Sequence, residues 1–119
     1  MKTPLDPRHQ RRIKLLKQLF SLSFANRQGE RGVAEIKRHF PQINAQIEAA
    51  APEWPLDKIA KIDLAILRLA VYELTIEKKE PPKVIIDEAV ELAKEFGNDN
   101  SQKFVNGALG SILKVSEAS

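Results

Sequence analysis

The run IDLAILRLAVYELTIEKKEPPKVIIDEAVELAKEFGNDNSQKFVNG, from Ile62 to Gly107, decides the fold. Its first part reads as a helix that is apolar on nearly all sides. Ile59, Ile62, Ile66, Leu69 and Ala70 fall on one flank at three- and four-residue spacing, and Leu64, Leu67, Val71 and Leu74 on the other. Only Lys61, Arg68 and Tyr72, with Ala65 between them, leave a polar stripe. A helix of this kind is buried with neighbours on several faces, so the other helices must pack around it. It is expected to run to about Glu77, with Glu73 at the surface where a lysine could pair with it, and with Arg68 and Tyr72 covering the core with their stems. The pair Pro81–Pro82 then forces a turn, because the residue before a proline is biased away from helical backbone. A second helix, about Lys83 to Phe96, buries Ile85, Ala89, Leu92 and Phe96. It stops at Gly97, a residue suited to a left-handed C-terminal position. Asp99, Asn100 or Ser101 can cap a third helix that buries Val105, Ala108, Leu109, Ile112 and Leu113. Gly107 and Gly110 inside it each cost about 1 kcal/mol relative to alanine, which points to a close helix–helix approach.

Upstream, Met1 to Pro7 reads as an extended lead-in. Asp6 followed by Pro7 suits a helix start, with aspartate as cap and proline at the first helical position. The helix from Pro7 to about Phe24 turns Ile13, Leu16, Leu19, Phe20 and Phe24 inward. Asn26 to Gly32, NRQGERG, reads as a loop. Gly32 to Phe40 is a short helix on Val33, Ile36 and Phe40, ended by Pro41, which removes a donor and clashes with the preceding turn. Gln42 to Ala51 is another, on Ile43, Ile47 and Ala50. Pro52 and Pro55 bracket Trp54, at the edge of the core. No alternating apolar–polar segment is long enough for a strand. The reading is an all-α, compact bundle of about six helices, one domain over 1–119.

Composition narrows the function. The 119 residues contain no cysteine, which excludes a disulfide framework and a thiolate metal site. No apolar run reaches the length of a membrane span and the N-terminus lacks a signal-peptide core, so a cytoplasmic protein is the expectation. The net charge of +3 is mild support for an anionic partner. Catalysis finds little to work with. His9 and His39 lie in charged helical stretches, read as exposed and without partners. The acids lie mostly opposite core faces, and GNDNSQK lacks the spacing of a phosphate loop. No enzyme activity, cofactor or metal is expected.

Two binding signals remain. Arg8, Arg11, Arg12, Lys14 and Lys17 make a positive flank on the first helix, with no acid after Asp6. Cations at a helix N-terminus oppose its dipole, so a phosphate-bearing ligand would repay the arrangement. A solvated face that aids solubility is the plain alternative; a helix lying on a membrane surface is a weaker one, because the apolar face is needed for the core. The second signal is Asn100, Ser101, Gln102, Lys103, Phe104 and Asn106 at the start of the last helix. Amides and an aromatic there suit unstacked bases and phosphates, and equally suit plain capping with a core phenylalanine.

The blocks DLAILRLAVYEL, PPKVIIDEAVELAKEFG and NSQKFVNGALG, in this order and spacing, resemble the C-terminal half of the NusB family of bacterial antitermination factors. RHQRRIKLLKQLF resembles that family's arginine-rich opening, with Leu19-Phe20 where it has Leu-Tyr. The middle, Asn26 to Pro55, is shorter than usual by about one helix. The resemblance implies an all-helical factor that binds single-stranded boxA-type RNA of ribosomal operons as a heterodimer with the ribosomal protein NusE, within a polymerase-bound antitermination assembly. It implies an RNA face at Arg8, Arg11, Arg12, Asn100, Lys103 and Phe104, and a NusE contact at Phe20 and Asp63. His9 and Gln10 stand where many relatives have arginines. A protein-binding helical module without RNA, and the NusB-like domain of an rRNA methyltransferase, are the alternatives.

Overall fold

The computed structural model describes residues 6–24 and 31–118; the lead-in before Asp6 and most of the NRQGERG loop lie outside them. The described chain forms six α-helices: α1 (Pro7–Leu22), α2 (Arg31–Arg38), α3 (Phe40–Ala50), α4 (Lys61–Tyr72), α5 (Pro82–Phe96) and α6 (Ser101–Ala118). A single 3-10 turn, Leu56–Lys58, precedes α4, and a π-helical turn, Glu73–Glu77, extends it.

α4 is the hub, as its apolar circumference requires. It packs against α1, α3, α5 and α6 and also touches α2. Ile66, Leu67 and Val71 are wholly buried, in one cluster with Leu16 and Leu19 of α1, Ile43 and Ile47 of α3, Leu92 of α5 and Leu109 of α6. Arg68 leaves this core sideways: its guanidinium lies 4.3 Å from the centre of the Phe40 ring and its Nε donates to Asn44 at 3.0 Å. Lys78, with φ 53°, ends the π turn in the left-handed region.

Three local expectations are corrected. Pro41 does not end α2; it sits in the first turn of α3, where its missing N–H has no helical acceptor to lose. Gly97 is not left-handed, with φ −92° and ψ −166°. It is needed for space, since a Cβ there would lie 2.3 Å from Ser101 Oγ and 2.7 Å from the Ala93 carbonyl oxygen. Gly107 and Gly110 mark no close approach: a Cβ on either meets nothing within 4 Å, and both face outward.

Candidate nucleic-acid interface

α1 begins where Asp6 accepts a hydrogen bond from the Arg8 backbone N–H at 2.9 Å, with Pro7 in the first turn. That bond, aided by the Arg8 charge, holds the Asp6 carboxyl below the usual carboxylate range. From here the buried stripe of α1 is His9, Arg12, Leu15, Leu16 and Leu19. Arg12 therefore belongs to the core face, and the expected exposed flank loses it. The guanidinium is enclosed by three glutamates, one from the π turn after α4, one from the connection to α5 and one from α5 itself. Nε donates to both Glu73 oxygens at 3.2 and 3.0 Å. Nη2 donates to Glu73 at 2.7 Å and Glu80 at 3.0 Å, and Nη1 to Glu88 at 3.1 Å. Burial works against the guanidinium's charge. The hydrogen bonds and charge of Glu73, with the charges of Glu80 and Glu88, outweigh it and raise the pKa of Arg12.

Glu73 is thus a core residue rather than a surface one. His9, expected to be exposed, is also buried, its Nδ1 3.5 Å from Glu88 and its Nε2 3.4 Å from Glu95. His39 is partly buried, with Nδ1 3.0 Å from the Glu35 carbonyl oxygen. A signal for the cluster was present in the sequence. Arg12, Glu73 and Glu88 each occupy a position three or four residues from core apolars, and their charges are complementary.

Arg8, Arg11, Lys14 and Lys17 remain exposed along α1. Arg11 is bonded to Glu77 at 3.2 Å. At the other end of the helix, Lys61 lies 5.6 Å from the centre of the Phe24 ring. The two contacts make α1 antiparallel to α4, so the α1 cations lead toward the start of α4.

Two concavities flank that start. The first is a groove of about 520 Å³, lined by Leu16, Lys17, Phe20, Phe24, Ile62 and Phe96, with Lys61 on its border. Phe20 meets Phe24 edge-to-face at 4.9 Å. The second is a pocket of about 340 Å³ at the head of α6, lined by Trp54, Lys58, Asp63, Asn98, Asn100 and Phe104, with Ile59 and Ala60. Ser101 shapes it: its Oγ accepts from the Asn98 backbone N–H, and Asn98 Oδ1 accepts from the Asn100 N–H, each at 2.9 Å. Trp54 is half exposed and stands edge-to-face with Phe104, ring centres 6.5 Å apart. The structure brings Asn100, Phe104 and Asp63 into one pocket, leaves Lys103 exposed one residue away, and puts Phe20 in the other concavity. Trp54 and Lys58 were not among the site residues expected from sequence. Their only local signal was a tryptophan between two prolines.

Fold and site together define a small all-α domain with a cationic surface helix and an aromatic pocket. The profile of the NusB family matches residues 10–114. The chain belongs to that family. It is 51% identical over 77 residues to the transcription antitermination protein NusB of Chloroflexus aggregans, an alignment covering 63% of this chain and 51% of the relative. The chain thus spans about half the length of such curated relatives. A solved structure of T. maritima NusB superposes with a TM-score of 0.80 at 35% identity, covering 96% of this chain and 93% of that one. The fold is also that of a chain in the structure of antitermination factors NusB and NusE in complex with dsRNA. There the TM-score is 0.77 at 22% identity, covering 92% of this chain and 99% of that one.

Proposed function

We propose that the chain is a non-catalytic transcription antitermination factor that binds single-stranded boxA-type RNA of ribosomal operons together with NusE. The observation that carries this reading is the aromatic pocket at the head of α6, with Asn100 and Phe104 in its lining. Single-stranded RNA is recognised by splaying bases onto aromatic rings and hydrogen-bonding their edges. The exposed cations Arg8, Arg11, Lys14 and Lys17 supply a backbone track about 14 Å long, at 1.5 Å per residue from Arg8 to Lys17 along α1. Lys61 and Lys58 continue the track past the start of α4 to the pocket. The groove holding Phe20 and Phe24 supports the protein partner. Apolar surface with a cationic border suits an interface whose core is dry and whose rim is polar.

The test is a salt titration of binding to boxA-like and scrambled RNA, with and without NusE. Affinity for either RNA should fall with salt, by a log–log slope of about −0.7 per phosphate neutralised. Arg8→Gln with Lys17→Gln should flatten that slope by roughly 1.4 units and weaken all RNAs alike. Phe104→Leu should weaken binding without changing the slope. An unaltered slope in the first variant would remove α1 from the RNA site. Phe20→Ala should weaken NusE binding alone.

A further inference from the structure

At the opposite end of α6 lies a groove that neither the RNA track nor the aromatic pocket uses. It holds about 700 Å³, between α3, the π turn and the last turns of α6. Ala49 and Ala50 of α3, with Ile112 and Val115 of α6, give it an apolar floor, and Val115 is 72% exposed. Lys78 and Lys114 also line it; among the described residues no carboxylate lines it and no ion pair reaches either lysine. Gln46 lines it too, its side-chain oxygen buried and without a hydrogen-bond partner. Lys78 holds its charge there from a left-handed backbone, φ 53°, a conformation that glycine adopts freely and lysine does not. Ser111 and Lys114 lead on into an adjoining hollow that Gly107 and Gly110 line, two glycines that no packing within the chain requires.

We propose that this groove docks an acidic amphipathic helix of another protein, separately from RNA. An apolar floor with a charged border is the form of a helix-in-groove contact. The two lysines call for carboxylates along the flank of the docked helix. The Gln46 oxygen calls for a donor, which the free backbone N–H groups in the first turn of a helix supply, at the end where acidic side chains are also favoured. A nucleic acid fits the groove less well, because no aromatic ring or arginine among the described lining residues offers a base a surface to stack on. A symmetric pair of copies of this chain, joined through this same face, would set lysine against lysine. α6 lines the groove and the hollow from Gly107 to Glu117, about 15 Å at 1.5 Å per residue, or nearly three turns of a docked helix. The glycines let its backbone approach closely. Val115 lies about 16 Å along α6 from Phe104, so the docked helix leaves the aromatic pocket open.

The experiment measures binding of labelled helical peptides of about 14 residues, or four turns, to the full chain by fluorescence anisotropy. One peptide carries leucines at helical spacing flanked by glutamates. A second has lysines for the glutamates, and a third serines for the leucines. The first should bind and the other two should not. Lys78→Gly with Lys114→Gln should weaken it about fivefold, the effect of two exposed ion pairs, and remove most of its salt dependence. Val115→Ser should weaken it about tenfold, through lost apolar burial. These side chains are exposed and Lys78→Gly relieves the left-handed backbone, so the urea midpoints should not fall. RNA and NusE affinities should stay at the wild-type level. In amide NMR spectra of the wild-type chain, the peptide should shift Ala49 and Ser111 and leave the Trp54 indole in place. No binding at millimolar peptide overturns the proposal, as does equal binding of the glutamate and lysine peptides. Full affinity in both variants overturns the assignment to this groove. Loss of RNA affinity in the lysine variant shows the groove to be a nucleic-acid track instead. A concentration-dependent dimer that Val115→Ser abolishes shows the occupant to be a second copy of the chain.

Discussion

Replacing Arg12 by methionine separates its two possible roles. If Arg12 were an exposed phosphate contact, the change would cost little stability and would flatten the salt dependence of RNA binding. The structure requires the opposite. The Arg12 and Glu73 side chains are only 4% and 6% exposed, and those of Glu88 and Glu80 only 12% and 17%. Five donor–acceptor contacts of 2.7–3.2 Å join the guanidinium to these carboxylates. An exposed ion pair contributes about 0.2–1 kcal/mol. Removing one member of a buried group costs about 3–5 kcal/mol, because it leaves charge buried without compensation. Here three carboxylates lose one shared cation, which sets the expectation at the upper end of that range. Urea unfolding followed by far-UV circular dichroism should show a lower midpoint with an unchanged slope. Adding Glu73→Gln and Glu88→Gln to Arg12→Met should recover much of the loss. The folded variant should keep the wild-type salt slope for RNA. A loss under about 1 kcal/mol, the level of an exposed pair, would refute the buried network.

Leu67→Ala in the hub should cost about 2–5 kcal/mol in the same unfolding assay, since Leu67 is wholly buried among several helices. Gly107→Ala and Gly110→Ala should each raise stability by up to about 1 kcal/mol, because the added methyl meets nothing; a fall in stability would show that the outward face of α6 is packed. Gly97→Ala should destabilise by about 1–3 kcal/mol through overpacking, as its Cβ would overlap Ser101, and it should weaken RNA binding by shifting the pocket that Ser101 shapes. Asp6→Ala should lower the melting temperature at neutral pH. The Asp6 carboxyl titrates lower in the folded chain than its ordinary value of 3.8, so the wild-type advantage is present above that value and disappears as pH falls through the lower folded-state value.

Helix type and hub were legible in the sequence because they follow from local rules. A 3.6-residue turn makes three- and four-residue spacing of apolar side chains a statement about one face, and α4 carries such spacing on several faces at once. Proline pairs and the Asp6–Pro7 start act within a few residues of themselves. The three C-terminal blocks and the arginine-rich opening carried the family resemblance for the same reason: each is a contiguous run. What the tertiary structure alone decided is which charges meet. Arg12 and its glutamates are 61, 68 and 76 residues apart; the spacing of Arg12 to Leu15 and Leu16 turns it toward the core, but nothing along α1 says which acids meet it there. The pocket is a similar case, since Trp54, Asp63 and Phe104 come from three separate segments that only the packing of α4 against α6 brings together. The glycines show the limit from the other side. Composition says that glycine costs helix stability, but only the neighbours in space distinguish Gly97, hemmed in by Ser101, from Gly107 and Gly110, which face open solvent.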